Sequence, residues 1–427
     1  MRPVVRVPYS LAGHAAAFVS RLAPAGGGKF RRAFAARHGT IERVSAWARA
    51  KRDLDRPLIW MHAPSVGEGL MARPVIELLR SSLPSAQFAY TFFSPSAETF
   101  ARSLPVDVAD YLPFDTATAA RAMLNALAPS AIVFSKLDVW PLLVEEATAR
   151  GVPVGLTSAT FSESSGRGSW LARLVLADAY AALSAIGAVH EADAENLVAL
   201  GARPECVSIT GDVRYDQVTA QVSAGPRDPA LLARLGTDRP TLVAGSTWSA
   251  DEAVLLPAWR DVVRHIPSAR LIIAAHEPTA AHTARLRAWA RERGLPAASI
   301  GAADDGTGLV VVDRVGVLAD LYALADVAFV GGGFHDRGLH SVVEPAAFGI
   351  PVLFGPRGVA NRDAAALISA GGGFADATAP TLADRIVGLL ASDLARKQPG
   401  ASARQVITDG LGAAERSAAL VERLLQA

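Results

Sequence analysis

From residue 57 onward, short apolar runs alternate with amphipathic stretches of helical length. That alternation predicts βα units feeding mainly parallel sheets. In the first half the runs are Leu58–Ala63, Phe88–Phe93, Ala131–Phe134, Val152–Leu156 and Val207–Thr210. The pattern restarts with Thr241–Ala244, Arg270–Ala274, Leu309–Val312, Val327–Val330 and Val352–Phe354. Between the two sets, Val218 to Pro229 is polar and broken by Gly225-Pro226 and Pro229, so it reads as a linker. The expectation is an α/β chain of two Rossmann-like, doubly wound domains, residues 57–217 and 230–427, facing each other across a cleft. Residues 1–56 stand before them as a separate segment.

In doubly wound sheets ligands sit beyond the carboxyl ends of the strands. Here several runs end in small or polar residues: Pro64-Ser65-Val66-Gly67-Glu68, Ser94-Pro95-Ser96, Gly245-Ser246-Thr247 and Gly331-Gly332-Gly333. Small residues let a ligand approach the backbone, and the N–H groups of a following helix favour phosphate. The strongest run is Val327 to Asn361, where an apolar strand ends in Gly331-Gly332-Gly333 and a helix is expected to open near His340-Ser341. Glu344 in its first turns is placed to accept hydrogen bonds from a ribose. These loops point to a nucleotide-sugar site in the second domain.

Other phosphate and metal signals are weak. Gly26-Gly27-Gly28-Lys29 lacks the first P-loop glycine, has Phe30 where Ser or Thr is needed and follows no strand. No G-x-G-x-x-G follows the first strand, which argues against a dehydrogenase. The lone D-x-D, Asp53-Leu54-Asp55, precedes a strand instead of following one, so a nucleotide held through a divalent metal is not expected. Cys206 is the one cysteine, which excludes an internal disulfide; its alternating run reads as a strand with a small buried thiol.

The charge is unevenly placed. Residues 1–52 hold eleven Lys and Arg against Glu42 alone, so the formal total of +1 leaves the rest of the chain at −9. Nucleic acid is therefore not an expected partner of the body. The basic segment encloses an apolar run from Leu11 to Leu22, too short to span a bilayer, and is expected to make a monotopic contact with an anionic membrane surface. The alternative is a solvated basic helix packed on its own protein.

Read together, HAPSVGEG (62–69), YLPFD (111–115), VWP (139–141), TSATFSES (157–164), TGDVRYD (210–216), AGSTWSADE (244–252), ADVAFVGGG (325–333) and EPAAFGIPVLFGP (344–356) resemble, in order, the 3-deoxy-D-manno-octulosonic acid (Kdo) transferases. The resemblance implies a GT-B fold and inverting transfer of Kdo from CMP-Kdo to a lipid A precursor. It also implies no metal cofactor and a place on the cytoplasmic face of the bacterial inner membrane. By it, Glu68 is the catalytic base and Arg214 matches a lysine thought to stabilise the transition state. By it, CMP contacts fall on His276 and Glu277, on Val315-Gly316-Val317 and on Ser341 through Glu344; the loops themselves add Ser246, Thr247, Gly332, Gly333 and His340, with Asn361, as expected donor residues.

The chain also departs from the family pattern. Lys136-Leu137-Asp138 stands where the family has E-T-E, so Lys136 and Asp138 are the candidate stabilising groups and one charge is reversed. His276-Glu277-Pro278 replaces R-H-P, Val315-Gly316-Val317 replaces M-G-E, and His340-Ser341-Val342-Val343-Glu344 replaces H-N-x-x-E. Ala159-Thr160-Phe161-Ser162 replaces A-R-L-S. Two other readings follow from these departures: a transferase or epimerase using another nucleotide sugar, and a paralogue that binds a sugar nucleotide without turnover.

Overall fold

The computed structural model describes residues 3–22, 34–161, 170–236 and 238–426. The chain forms two compact units, Met1–Gln217 with Leu411–Ala427, and Val218–Gly410. The first unit is built on β1 (Leu58–His62), β2 (Gln87–Phe92), β3 (Val108–Tyr111), β4 (Ala131–Ser135), β5 (Val154–Ala159), β6 (Ala185–Ala188) and β7 (Val207–Ile209), ordered β3-β2-β1-β4-β5-β6-β7. The second uses β8 (Thr241–Thr247), β9 (Arg270–Ala275), β10 (Ala297–Ser299), β11 (Leu309–Val312), β12 (Val327–Val330), β13 (Val352–Phe354) and β14 (Gly373–Ala375), ordered β10-β11-β9-β8-β12-β13-β14. All these pairings are parallel.

Helices cover both faces of each sheet. For this reason the central strands are buried throughout and read as unbroken apolar runs. β3, β6, β10 and β14 escaped the sequence reading because Val-Ala-Asp-Tyr, Ala-Ile-Gly-Ala, Ala-Ala-Ser and Gly-Phe-Ala carry little apolar volume. Cys206 is half-buried and ends a 3-10 turn, Pro204–Cys206, ahead of the strand it was expected to join. Strand order reverses between β1 and β4 and between β8 and β12, so each sheet has its crevice there.

Two expected boundaries shift. The helix Val213–Ala224 carries the first half of the expected linker. The last helix, Ala413–Leu424, belongs to the first unit, not to a domain running to residue 427. Its Ala418, Leu420, Val421 and Leu424 are buried with Val75, Ile76 and Leu79 of the helix Val66–Ser82. Asp216 fixes its start by accepting from Gly412 N at 2.7 Å and Ala414 N at 2.9 Å, and Arg416 Nε donates to Thr210 O at 2.8 Å. An apolar stripe at helical spacing does not by itself say which core it meets.

The N-terminal segment is likewise not one detached piece. The helix Thr40–Lys51 buries Thr40 and Val44 against the first unit. The helix Pro3–Leu22 docks through Arg6, whose Nε lies 2.7 Å from Glu145 Oε1, and Tyr9, whose hydroxyl donates to Asp115 Oδ2 at 2.9 Å. Gly13 lies so close that a Cβ there would sit 2.7 Å from Asp115 O. Val7, Leu11, Phe18 and Val19 point away and are 54 to 65% exposed. No helix among the described residues is long and apolar enough to cross a membrane. The Gly26–Lys29 turn lies outside the described residues.

Asp115 gives this seat a pH dependence. Burial raises its carboxyl from the ordinary 3.8 to about 6, against hydrogen bonds from Leu142 N, Tyr9 and Leu143 N that lower it. Because the folded pKa lies above the unfolded one, the contribution is fully present below 3.8 and is lost as pH rises through about 6. Between pH 4 and pH 7 the wild type is expected to lose on the order of 3 kcal/mol relative to Asp115→Asn, which has no such proton. Parallel denaturation titrations of both proteins check this, and a constant difference overturns it.

Candidate active site

At the first crevice, β1 runs through Ala63-Pro64-Ser65 into the helix Val66–Ser82. Glu68 is the third residue of that helix, in the first turn, where free N–H groups favour a carboxylate. The Ser65 hydroxyl donates to Glu68 Oε2, which fixes the side chain. Across the crevice β4 ends at Ser135, and Lys136 takes a left-handed backbone with φ 68°. That conformation is strained for a residue with a Cβ. It turns the side chain so that Nζ lies 3.6 Å from Glu68 Oε1. The Lys136 N–H donates to Thr157 O of β5 at 2.8 Å, which holds the turn.

Asp138 is committed elsewhere. Its Oδ2 lies 3.1 Å from His62 Nε2 and accepts from Trp140 Nε1 at 3.0 Å. His62 Nδ1 meets Thr91 Oγ1 at 3.0 Å, and that oxygen accepts from Trp60 Nε1 at 2.9 Å. Since Trp60 can only donate, the Thr91 hydroxyl can donate to Nδ1, leaving Nε2–H for Asp138. Asp138 therefore orients the loop, while Lys136 is the group brought to Glu68.

Arg214 follows a different strand. It stands at the start of the helix after β7 and pairs with Asp212, Nη2 to Oδ2 at 2.5 Å. β7 is four strands from β1, so about 19 Å of sheet lies between them. Its motif spacing could not reveal that distance, which is set by strand order.

In the second unit most candidates gather at the carboxyl edge of one sheet. Trp248, just after β8, stacks on His276, just after β9, at 4.3 Å between ring centres; His276 stacks on His340 at 4.6 Å. Trp248 Nε1 donates to His340 Nε2 at 3.0 Å. Burial, then the neighbouring His276, pushes the His340 pKa down, which favours the neutral ring that this bond requires. Arg337 lies over Trp248 at 4.9 Å. Thr247 donates to Glu252, and Val315 is 79% exposed with Gly316 at φ 87° beside it. Glu277 and Ser341 are exposed and Glu344 is half-buried.

One reading changes, the helix start, while the glycines and Asn361 gain a structural role. The glycines after β12 serve backbone packing: a Cβ on Gly331 would run into Ser246 O, on Gly332 into Gly338 O, and on Gly333 into Gly355 N. The following helix is Val343–Ala347, a single turn that starts after His340-Ser341. Asn361 caps the helix Arg362–Ala370, its Oδ1 accepting from Ala364 N at 3.1 Å.

The sequence reading missed Trp248 and Asp251 as site-builders. Asp251 is fully buried and accepts from Trp248 N, Gly332 N and Phe334 N at 2.9, 2.9 and 3.3 Å, tying β8 to the β12 loop. An acid three residues past a helix start hinted at its local bond. Its partners 81 and 83 residues away left no such trace.

Residues 33–217 match the family described as 3-Deoxy-D-manno-octulosonic-acid transferase (kdotransferase). The 3-deoxy-D-manno-octulosonic acid transferase of Bordetella pertussis is 30% identical over 387 residues, covering 87% of this chain and 88% of the relative. The chain belongs to the 3-deoxy-D-manno-octulosonic acid transferase family. It is thus a glycosyltransferase-family protein. The Haemophilus influenzae member is 25% identical, covering 86% of this chain and 87% of its own length. Among solved structures, a UDP-N-acetylglucosamine 2-epimerase from Listeria monocytogenes, described as putative, superposes with TM-score 0.61 at 14% identity, over 87% of this chain and 97% of that one. That likeness shows the GT-B fold that Kdo transferases share with epimerases.

Proposed function

We propose that this chain transfers Kdo, with inversion and without a metal cofactor, from CMP-Kdo to a hydroxyl of a lipid A precursor at the cytoplasmic face of the inner membrane. One observation carries the mechanism: the Glu68 carboxylate, held by Ser65 at the crevice of the first sheet, with Lys136 Nζ 3.6 Å away. A sugar hydroxyl is a poor nucleophile, and Glu68 takes its proton as the anomeric carbon is attacked. Lys136 balances negative charge around that carboxylate and the anionic donor. The stacked rings of Trp248, His276 and His340, with the Ser246-Thr247 turn, offer the donor's base and phosphate a platform. The basic N-terminal segment and the stripe of Val7, Leu11 and Phe18 suit an anionic bilayer, where the acceptor's acyl chains lie.

The test is transfer itself. With CMP-Kdo, a tetra-acylated lipid A precursor and EDTA, the acceptor is expected to gain the mass of Kdo. CMP is expected to protect the fold, since a ligand at 100 times its Kd adds about 2.7 kcal/mol. Protection by UDP in place of CMP overturns the donor assignment. CMP protection with no transfer to any lipid A precursor supports the non-catalytic paralogue instead.

A further inference from the structure

The buried carboxylate of Asp115 joins two parts of the first unit that are distant in sequence. On one side it receives the Tyr9 hydroxyl, at 2.9 Å, and the close approach of Gly13, both from the docked helix Pro3–Leu22. On the other it accepts from Leu142 N at 2.9 Å and Leu143 N at 3.0 Å. Those amides belong to the first turn of the helix Pro141–Thr148, whose own N-cap residue, Trp140, makes no side-chain cap bond. The Trp140 indole is engaged with Asp138. Asp115 thus supplies the missing cap from another element, satisfying N–H groups that a helix start leaves open.

The capped helix leads directly back to the crevice. Trp140 precedes Pro141 and holds Asp138, Asp138 holds His62 at the end of β1, and two residues earlier Lys136 pairs with Glu68. Glu145, one turn into the same helix, takes the second contact from the N-terminal helix, through Arg6 at 2.7 Å. The N-terminal helix therefore grips the one helix whose start anchors the Lys136–Trp140 loop.

We propose that Asp115 is a positioning residue that transmits the docking of the helix Pro3–Leu22 to the Lys136–Trp140 loop, and so sets the Glu68–Lys136 geometry. Occupation of the exposed Val7, Leu11 and Phe18 stripe by a lipid surface then acts on turnover as well as on location. The inference rests on the reading of Glu68 as the base.

Tyr9→Phe removes one hydroxyl from this seat, and Arg6→Ala loosens the same helix without touching Asp115. Both full-length variants are assayed on acceptor dispersed in neutral detergent, where anchoring to a bilayer gives no advantage. The expected result is a kcat at least fivefold lower in each, with KM for CMP-Kdo within twofold of wild type. Amide exchange at Leu142 and Leu143 is expected to be at least tenfold faster. A raised acceptor KM with unchanged kcat would show an anchor only and overturn the proposal, as would unchanged exchange at those amides. If the wild type transfers nothing, the functional reading fails, while the exchange measurement still decides whether docking reaches the helix start that anchors the loop.

Discussion

Glu68→Gln is expected to fold, to keep its protection by CMP and to transfer about 10³-fold more slowly than wild type, within the 10² to 10⁴ range of a positioned general base. The amide keeps the size of the side chain and a hydrogen-bond acceptor for the Ser65 hydroxyl, but it cannot take a proton at neutral pH. Measuring kcat with both substrates saturating separates this loss from weakened binding. The Lys136 contact sharpens the expectation, since a neutral amide in place of the Glu68 carboxylate would leave that ammonium without its anionic partner 3.6 Å away. A drop in both CMP protection and kcat would point to a collapsed crevice. Turnover equal to wild type would remove Glu68 from the chemistry.

The sheets were legible because buried parallel strands must be apolar on both faces. Leu309–Val312, Val327–Val330 and Val352–Phe354 appear in the structure with the bounds their runs predict. Glu68 was legible for a related reason: strand, tight turn and helix start follow one another in sequence, so spacing alone places its carboxylate at the carboxyl edge. What depends on contacts between distant segments was not legible. Asp251 reaches across 81 residues to Gly332, and Asp115 caps a helix 27 residues away. The last helix returns to the first core from beyond the second unit. The place of Arg214 relative to Glu68 was not legible for the same cause, because only strand order shows that β7 lies four strands from β1.

Lys136→Glu is expected to lower kcat/KM by about 30-fold or more, although it brings back the acid that the family motif carries. In this chain the left-handed turn aims residue 136 at Glu68, so the substitution places two carboxylates where an ion pair now stands. Lys136 is 42% exposed, which puts the pair near the solvent-screened limit of about 1 kcal/mol. Reversing the sign exchanges that attraction for a similar repulsion, about 2 kcal/mol in all, or roughly 30-fold in rate. Repulsion of an anionic donor adds to it. Lys136→Met, which deletes the charge without reversing it, is expected to lose less, about fivefold. A graded series in kcat/KM, with Lys136→Arg nearest to wild type, shows that the cation is used. Equal or faster transfer by Lys136→Glu would show that the lysine is merely tolerated and that the charge required there is negative.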